Sequence, residues 1–182
     1  MSDPRPDVSP PRSQLLGRAA CESLMREALA EARIGLDEGE CPIGCVLAIM
    51  DGGAPRIVAR GHNRVKAFAR KTAHAEMVAF ENAEGAFPVG ALDIILVSTL
   101  EPCVMCLGAC FEVGVSLVVF GLPAPADSGT RRVKAPSTPE TPAPVFLGDV
   151  LAADSRSLFV EFVRGRDGSR DVAYAEQLLS LT

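Results

Sequence analysis

The sequence predicts an α/β protein, on three observations. Residues 43–61 read as strand, turn, strand: an apolar run from Ile43 to Met50, the turn residues Asp51-Gly52-Gly53, and a second run from about Arg56 to Gly61. Residues 93–121 read as strand, helix, strand, with runs Asp93–Leu100 and Ser116–Gly121 flanking a helical stretch that opens at Cys103. At that spacing the unit is a βαβ crossover, so its two strands should run parallel. Ahead of both, Leu16, Ala20, Leu24, Ala28 and Ala32, with Met25 and Leu29 beside them, give residues 13–37 the periodicity of an amphipathic helix.

Taken in order, residues 1–12 hold four prolines and few apolar side chains, the composition of a disordered tail, and residues 13–182 are expected to form one domain. Ser13 is the expected N-cap of the first helix. Gly44, inside the first strand, suits a place where a ligand or another backbone comes close. Cys41 and Cys45 have no partner at zinc-ligand spacing, and Cys45 reads as a buried thiol. Gly61-His62-Asn63-Arg64 ends the second strand. His62 is expected to be a solvated loop histidine. Asn63 carries both a donor and an acceptor where the chain opens into a loop. A helix should follow from about Ala73 to Glu84, with Met77, Val78 and Phe80 facing inward. Six prolines between Leu122 and Pro144 exclude a long helix there, and a loop of that length is usually functional or disordered. Val145–Val150 reads as a fifth strand, followed by helices at about Ala153–Arg164 and Asp171–Leu181.

With 182 residues, 48% of them hydrophobic, the chain is long enough for a sizeable core. A net charge of −5 argues against the whole chain binding polyanions. No run approaches the roughly 20 apolar residues of a membrane span. The N-terminal residues lack an apolar signal segment, so secretion is not expected. Six cysteines, two of them in a metal-binding pattern, point to a reducing cytoplasm.

The chemistry concentrates in residues 71–110. Cys103 and Cys106 are three apart, so on a helix their thiols share a face and can share a metal. Pro102 suits a helix start, where unpaired N–H groups and the helix dipole favour thiolates. His74 offers a third, neutral ligand, a mixture of sulfur and nitrogen that Zn²⁺ accepts. Three protein ligands leave a fourth position open, the mark of a catalytic rather than a structural zinc. Cys110 cannot close that position. Seven residues of helix rise roughly 10 Å, far beyond the reach of a Zn–S bond of about 2.3 Å, so Cys110 reads as a buried apolar thiol. His74 and Glu76 are two apart and would diverge on an ideal helix, so they can serve one site only at a helix mouth. There Glu76 would lean over the open position and take a proton from water activated at the metal.

One His-x-Glu together with one Pro-Cys-x-x-Cys resembles the signature of zinc-dependent nucleobase deaminases. From about Ser23 to Pro123 the chain resembles bacterial tRNA adenosine deaminases and related nucleobase and nucleoside deaminases of the cytidine deaminase-like superfamily. The likeness rests on Cys41-Pro42-Ile43-Gly44, Gly61-His62-Asn63-Arg64, Thr72-Ala73-His74-Ala75-Glu76 and Thr99-Leu100-Glu101-Pro102-Cys103-Val104-Met105-Cys106. It implies a three-layer αβα sandwich around a five-stranded mixed sheet, with one zinc between two helix N-termini. It also implies His74, Cys103 and Cys106 as ligands and Glu76 as the proton shuttle to the ring nitrogen and departing amine. By the same likeness Asn63 grips the base or sugar, Ile43 lines the pocket, the Ala75 backbone helps hold the base, and the protein is a homodimer. The chain departs from close relatives in two places. Arg70-Lys71 stands where they have an acidic residue and a proline, and the proline-rich 122–144 stretch stands where they have a helix.

The expected substrate is a free base or nucleoside, with a base inside tRNA as the alternative. Arg56, Arg60, Arg64, Lys66, Arg70 and Lys71, and then Arg131, Arg132 and Lys134, are two basic stretches that could grip phosphates if both flank the pocket. A structural zinc or redox module built on the Cys103–Cys106 dithiol is a reading of another class. It leaves His74, Glu76 and Asn63 without a role.

Overall fold

The computed structural model describes residues 16–87, 93–134, 143–166 and 168–182. The tail expected over residues 1–12, the N-cap expected at Ser13 and residues 135–142 of the proline-rich stretch lie outside them. The elements are α1 (Arg18–Asp37), β1 (Gly44–Asp51), β2 (Ala54–His62), α2 (Ala75–Asn82), β3 (Ile94–Leu100), α3 (Val104–Val113), β4 (Val115–Leu122), β5 (Val145–Leu147), α4 (Ala152–Val163) and α5 (Arg170–Leu181).

The five strands make one mixed sheet in the order β2-β1-β3-β4-β5. β1 is antiparallel to β2 and β3, while β3, β4 and β5 run parallel, so the crossover read from residues 93–121 is present. β5 is half the expected length. Asp149 and Leu151 adopt left-handed backbone angles, φ 59° and 51°, which extended strand geometry does not allow.

Alternation along the strands builds the three layers. Cys45, Leu47, Ile49 and Leu96 point to one face, where they pack with Ala75 and Ala79 of α2 and Leu107, Cys110 and Phe111 of α3. Val46, Ala48, Ile95 and Val97 point to the other, against Leu24, Met25 and Ala28 of α1. A third cluster joins α4 and α5 to Leu100 and Leu122, at the C-terminal ends of β3 and β4. The result is the expected αβα sandwich around a five-stranded mixed sheet.

Two glycines mark where helices rest directly on the sheet. A Cβ at Gly44 would lie 2.1 Å from the Ala28 carbonyl oxygen, so the close approach predicted there is to the backbone of α1. A Cβ at Gly61 would lie 2.5 Å from the Ala79 nitrogen of α2. That contact explains a difference from expectation. The inner face of α2 is Ala75, Val78 and Ala79, and the larger Met77 and Phe80 are only half-buried, because small residues alone fit where helix and sheet touch.

His62 also differs from its expectation of a solvated loop residue. It is the last residue of β2 and only 9% exposed. Its two ring nitrogens lie 3.1 Å from Glu31 and 3.3 Å from Glu38, both contributed by α1 and its C-terminal cap. β2 runs under α1 at that point, and Gly35 has no side chain to hold the helix off the imidazole.

Candidate metal centre and active site

Two helix starts face each other beyond the C-terminal end of β3. His74 is the N-cap residue of α2 and Cys103 the N-cap residue of α3. Both have extended backbone angles, and neither side chain caps its own helix. The unpaired N–H groups and positive dipole ends of both helices are therefore left for whatever binds between them. Because His74 lies outside the helix and Glu76 in its first turn, the helical period does not separate them. The helix begins at Ala75 rather than Ala73, and the helix-mouth geometry required of the pair is present.

The Cys103 and Cys106 sulfurs are 3.6 Å apart, and His74 Nδ1 lies 3.6 Å from the first and 3.7 Å from the second. Tetrahedral zinc with bonds of about 2.3 Å to sulfur and 2.05 Å to nitrogen holds two thiolates roughly 3.8 Å apart, and thiolate and imidazole roughly 3.5 Å apart. The donors fit the metal. Their electrostatics agree. The contact with Cys106, and after it that with His74, pulls the Cys103 thiol down to about 4. The same contact, burial and the nearby Glu76 carboxyl push Cys106 the other way. A divalent cation held between the two thiols would favour the thiolate form of both. Cys110 is fully buried among apolar side chains, and burial raises its thiol, as expected for a residue that takes no part.

Glu76 is 4% exposed, with Oε2 3.4 Å from the Cys106 sulfur. Burial raises its carboxyl above the usual range. Ser98 donates to Oε1 at 3.3 Å and so orients the group. Sequence reasoning missed Ser98, though it left a trace: Ser98-Thr99 is a polar pair inside an otherwise apolar, wholly buried strand. Its neighbour Thr99 accepts a hydrogen bond from the Gly44 nitrogen at 3.0 Å and ties β1 to β3 beside the site.

A cavity of about 350 Å³ opens above these groups. His74, Glu76 and Cys103 form its floor, and Ile43 and Asn63 line it as expected. Ala75, whose backbone was expected to help hold the base, is fully buried in the core beneath and does not line the cavity. The remaining walls were not foreseen. Asp127 comes from the 123–134 segment, and Arg170, Asp171 and Tyr174 from the first turns of α5. The segment is strapped down by Glu101, which is 5% exposed and lines the cavity. Its carboxylate accepts from the Ala124 nitrogen at 2.9 Å and from the hydroxyls of Ser128 and Thr130. The Gly129 nitrogen adds a bond of 2.9 Å to the Pro102 carbonyl. An acidic residue between a buried strand and Pro-Cys was the visible signal for Glu101. Nothing local could have announced α5.

The basic stretches do not converge on the cavity. Arg56, Arg60, Arg64 and Arg70 pair with Asp51, Glu27, Glu38 and Glu81, and Lys66 pairs with Asp171. Arg132 lies 3.8 Å from Asp127. Of the nine residues in the two stretches, Lys71 alone lines the cavity.

Known proteins share this arrangement to different extents. Over 101 residues the chain is 43% identical to the tRNA-specific adenosine deaminase of Bacillus subtilis (strain 168), covering 55% of this chain and 60% of that protein. It is 43% identical over 107 residues to the chloroplastic tRNA(adenine(34)) deaminase of Arabidopsis thaliana, 58% of this chain but 8% of that one. The chain therefore spans 60% or less of the length of these curated relatives. Among solved structures, one from studies of A-to-I editing by tRNA:A34 deaminases superposes with a TM-score of 0.61 at 31% identity, over 75% of this chain and 98% of that one. The guanine deaminase of Nitrosomonas europaea shares the fold, with a TM-score of 0.59 at 23% identity over 78% of this chain and 83% of that one. Residues 19–122 match the family described as the cytidine and deoxycytidylate deaminase zinc-binding region. Because that match runs from inside α1 to the end of β4 and so takes in both helix starts, the chain belongs to the cytidine and deoxycytidylate deaminase zinc-binding family.

Proposed function

We propose that the protein is a hydrolytic deaminase that exchanges an amino group on a nucleobase, free or as a nucleoside, for a carbonyl. Water is consumed and ammonia released. The observation that carries this reading is the placement of the Glu76 carboxylate 3.4 Å from a zinc-ligand sulfur at the floor of the cavity. His74, Cys103 and Cys106 hold zinc, which when bound supplies the Lewis acidity that makes water nucleophilic near neutral pH. Glu76 carries the two protons of water in turn, the first to the ring nitrogen as the oxygen bonds to the ring carbon, the second to the amine as the C–N bond breaks and ammonia leaves. Its burial suits this work, since a carboxyl raised above its ordinary range holds a proton long enough to pass it on. Ser98 keeps Glu76 turned towards the reacting atoms. Asn63 and Ile43, which line the cavity, hold the base.

The walls favour a small substrate. Asp127 on the strapped segment and Tyr174 on α5 both line the cavity and narrow the approach that an RNA stem-loop needs. The basic stretches are largely paired with carboxylates rather than free to bind phosphate. The second reading, deamination of adenosine in tRNA, is favoured by the likeness to tRNA deaminases, at 43% identity to the Bacillus subtilis protein and 31% to the solved structure from the tRNA:A34 studies. Measuring ammonia release from adenine, guanine, cytosine, their nucleosides and nucleotides, and tRNA, on protein of known zinc content, decides between them. Turnover of tRNA alone overturns the small-substrate reading, and turnover of nothing by zinc-loaded protein overturns both.

The protein is proposed to act as a homodimer in the cytoplasm. Val104 lies exposed at the start of α3 beside the half-buried Met105 and Gly108, a surface suited to a second copy, and sedimentation at micromolar concentration tests it. All six cysteines are free thiols, which supports a reducing compartment. Among the described residues no helix is long and apolar enough to cross a membrane.

A further inference from the structure

We propose that Glu40, which lies outside both the metal donors and the cavity wall, is a positioning residue that fixes which end of the Asn63 amide faces the substrate. The proposal rests on the deaminase reading and adds the polarity of one of its contacts. Glu40 is 1% exposed and makes no ion pair among the described residues. Instead its carboxylate is surrounded by N–H groups. Oε1 accepts from the Ala67 nitrogen at 2.8 Å, and Oε2 accepts from the Lys66 nitrogen at 3.2 Å and from Asn63 Nδ2 at 3.1 Å.

A backbone N–H can only donate, so the Lys66 and Ala67 nitrogens identify both carboxylate oxygens as acceptors. This settles the orientation of Asn63, which density alone rarely does. The amide end turned to Glu40 must be the NH₂, because a carbonyl oxygen there would face a second acceptor. Asn63 is 6% exposed and its nitrogen is held by the Ile43 carbonyl at 3.0 Å, so the residue has little freedom to turn. Its Oδ1 has no hydrogen-bond partner among the described residues, and the side chain lines the cavity. Asn63 therefore offers the substrate an acceptor, and the atom it meets is an N–H or O–H donor. Glu40 itself is held in register by the left-handed turn at Gly39 and by its own nitrogen bonding to the Gly35 carbonyl at 2.8 Å.

A charge-reversing cycle tests this, read as kcat/KM on whichever of adenine, guanine, cytosine, their nucleosides and tRNA the wild-type protein deaminates fastest. Asn63→Asp alone sets two carboxylates against each other and is expected to lose roughly 100-fold. Glu40→Gln alone is expected to lose roughly tenfold, as the amide is freed to turn. In Glu40→Gln/Asn63→Asp, the new NH₂ at position 40, which gives up the bond from the Lys66 nitrogen, can donate to the carboxylate introduced at position 63, whose other oxygen again faces the cavity. The double variant is expected to recover at least about tenfold over Asn63→Asp. If Glu40 only holds the 63–67 loop, the two losses multiply and the double variant is the slowest, which overturns the proposal. Zinc content and melting curves on every variant separate loss of fold from loss of positioning. Should Glu40→Gln not fold, the substrate side answers instead. Each N–H or O–H of that substrate is replaced in turn by N-methyl or hydrogen. At least one replacement is expected to cost the wild type tenfold or more and to cost Asn63→Ala nothing further. If none behaves so, the proposal falls. A zinc-loaded wild type that deaminates nothing in the panel refutes the deaminase reading itself, whereas an active wild type with multiplying losses refutes only the role of Glu40.

Discussion

The floor and the mouth of the cavity are built from different kinds of sequence. The floor comes from two short stretches, His74 to Glu76 and Cys103 to Cys106, each fixed at the start of a helix that packs on the sheet. The mouth is gathered from Asn63 and Lys71 after β2, Asp127 in the 123–134 segment, and Arg170 and Tyr174 on α5. Floor groups are held by the backbone of regular elements. In the mouth, the segment carrying Asp127 is held by the side-chain hydrogen bonds of Glu101, while Arg170 and Tyr174 ride on a helix packed against the third apolar cluster. Chemistry and choice of substrate therefore rest on separable parts of one molecule.

The largest expected effect is on the floor. Cys103→Ala removes one of three zinc donors, and turnover is expected to fall below detection with less than one zinc per chain. Metal analysis beside an ammonia assay reads both, and because binding and folding are linked the melting temperature should fall too. A Cys103→Ala protein that keeps full zinc and activity breaks the assignment of the floor.

Next comes Glu76→Gln, which keeps the shape and removes the proposed proton carrier. Turnover should drop by about 10² or more with zinc content unchanged. Activity near wild type would mean that another group moves the proton.

Releasing the strap sharpens the comparison from the other side. Glu101→Ala leaves three donors of the 123–134 segment without their acceptor, at a cost of about 1–3 kcal/mol for a buried group. A lower melting temperature and a raised KM are expected, with zinc still bound and kcat the less affected. Loss of zinc in this variant would show that floor and mouth are not separable.

The smallest effect concerns the paired basic residues. Lys66→Ala removes an exposed ion pair to Asp171 and should change stability by less than about 1 kcal/mol. For the same reason KM for a base or nucleoside should stay nearly flat between low and physiological salt. A steep rise with salt would instead mark several phosphates neutralised on binding.

How much of this was legible follows the same division. The helix starts at His74 and Cys103, the parallel β3–β4 pair and the isolation of Cys110 all depend on residues close in sequence, and residue type and spacing carried them. His62 departs from expectation because burial depends on what lies above a residue, and α1 precedes it in the chain by more than 20 positions. Ser98 and Glu101 left weak traces, as polar residues in or beside an apolar strand, without revealing whom they bind.

The sequence by itself determined the reacting centre, because metal ligation demands particular residue types at particular local spacings and helix starts supply the rest. It also determined the sheet, since alternation of apolar residues dictates which face of each strand is covered. Only the tertiary structure decided the shape of the cavity. Asp127, α5 and the Glu40–Asn63 pair meet there through contacts between distant segments. Such contacts follow from packing rather than from any local pattern, since each partner alone reads as an ordinary polar residue.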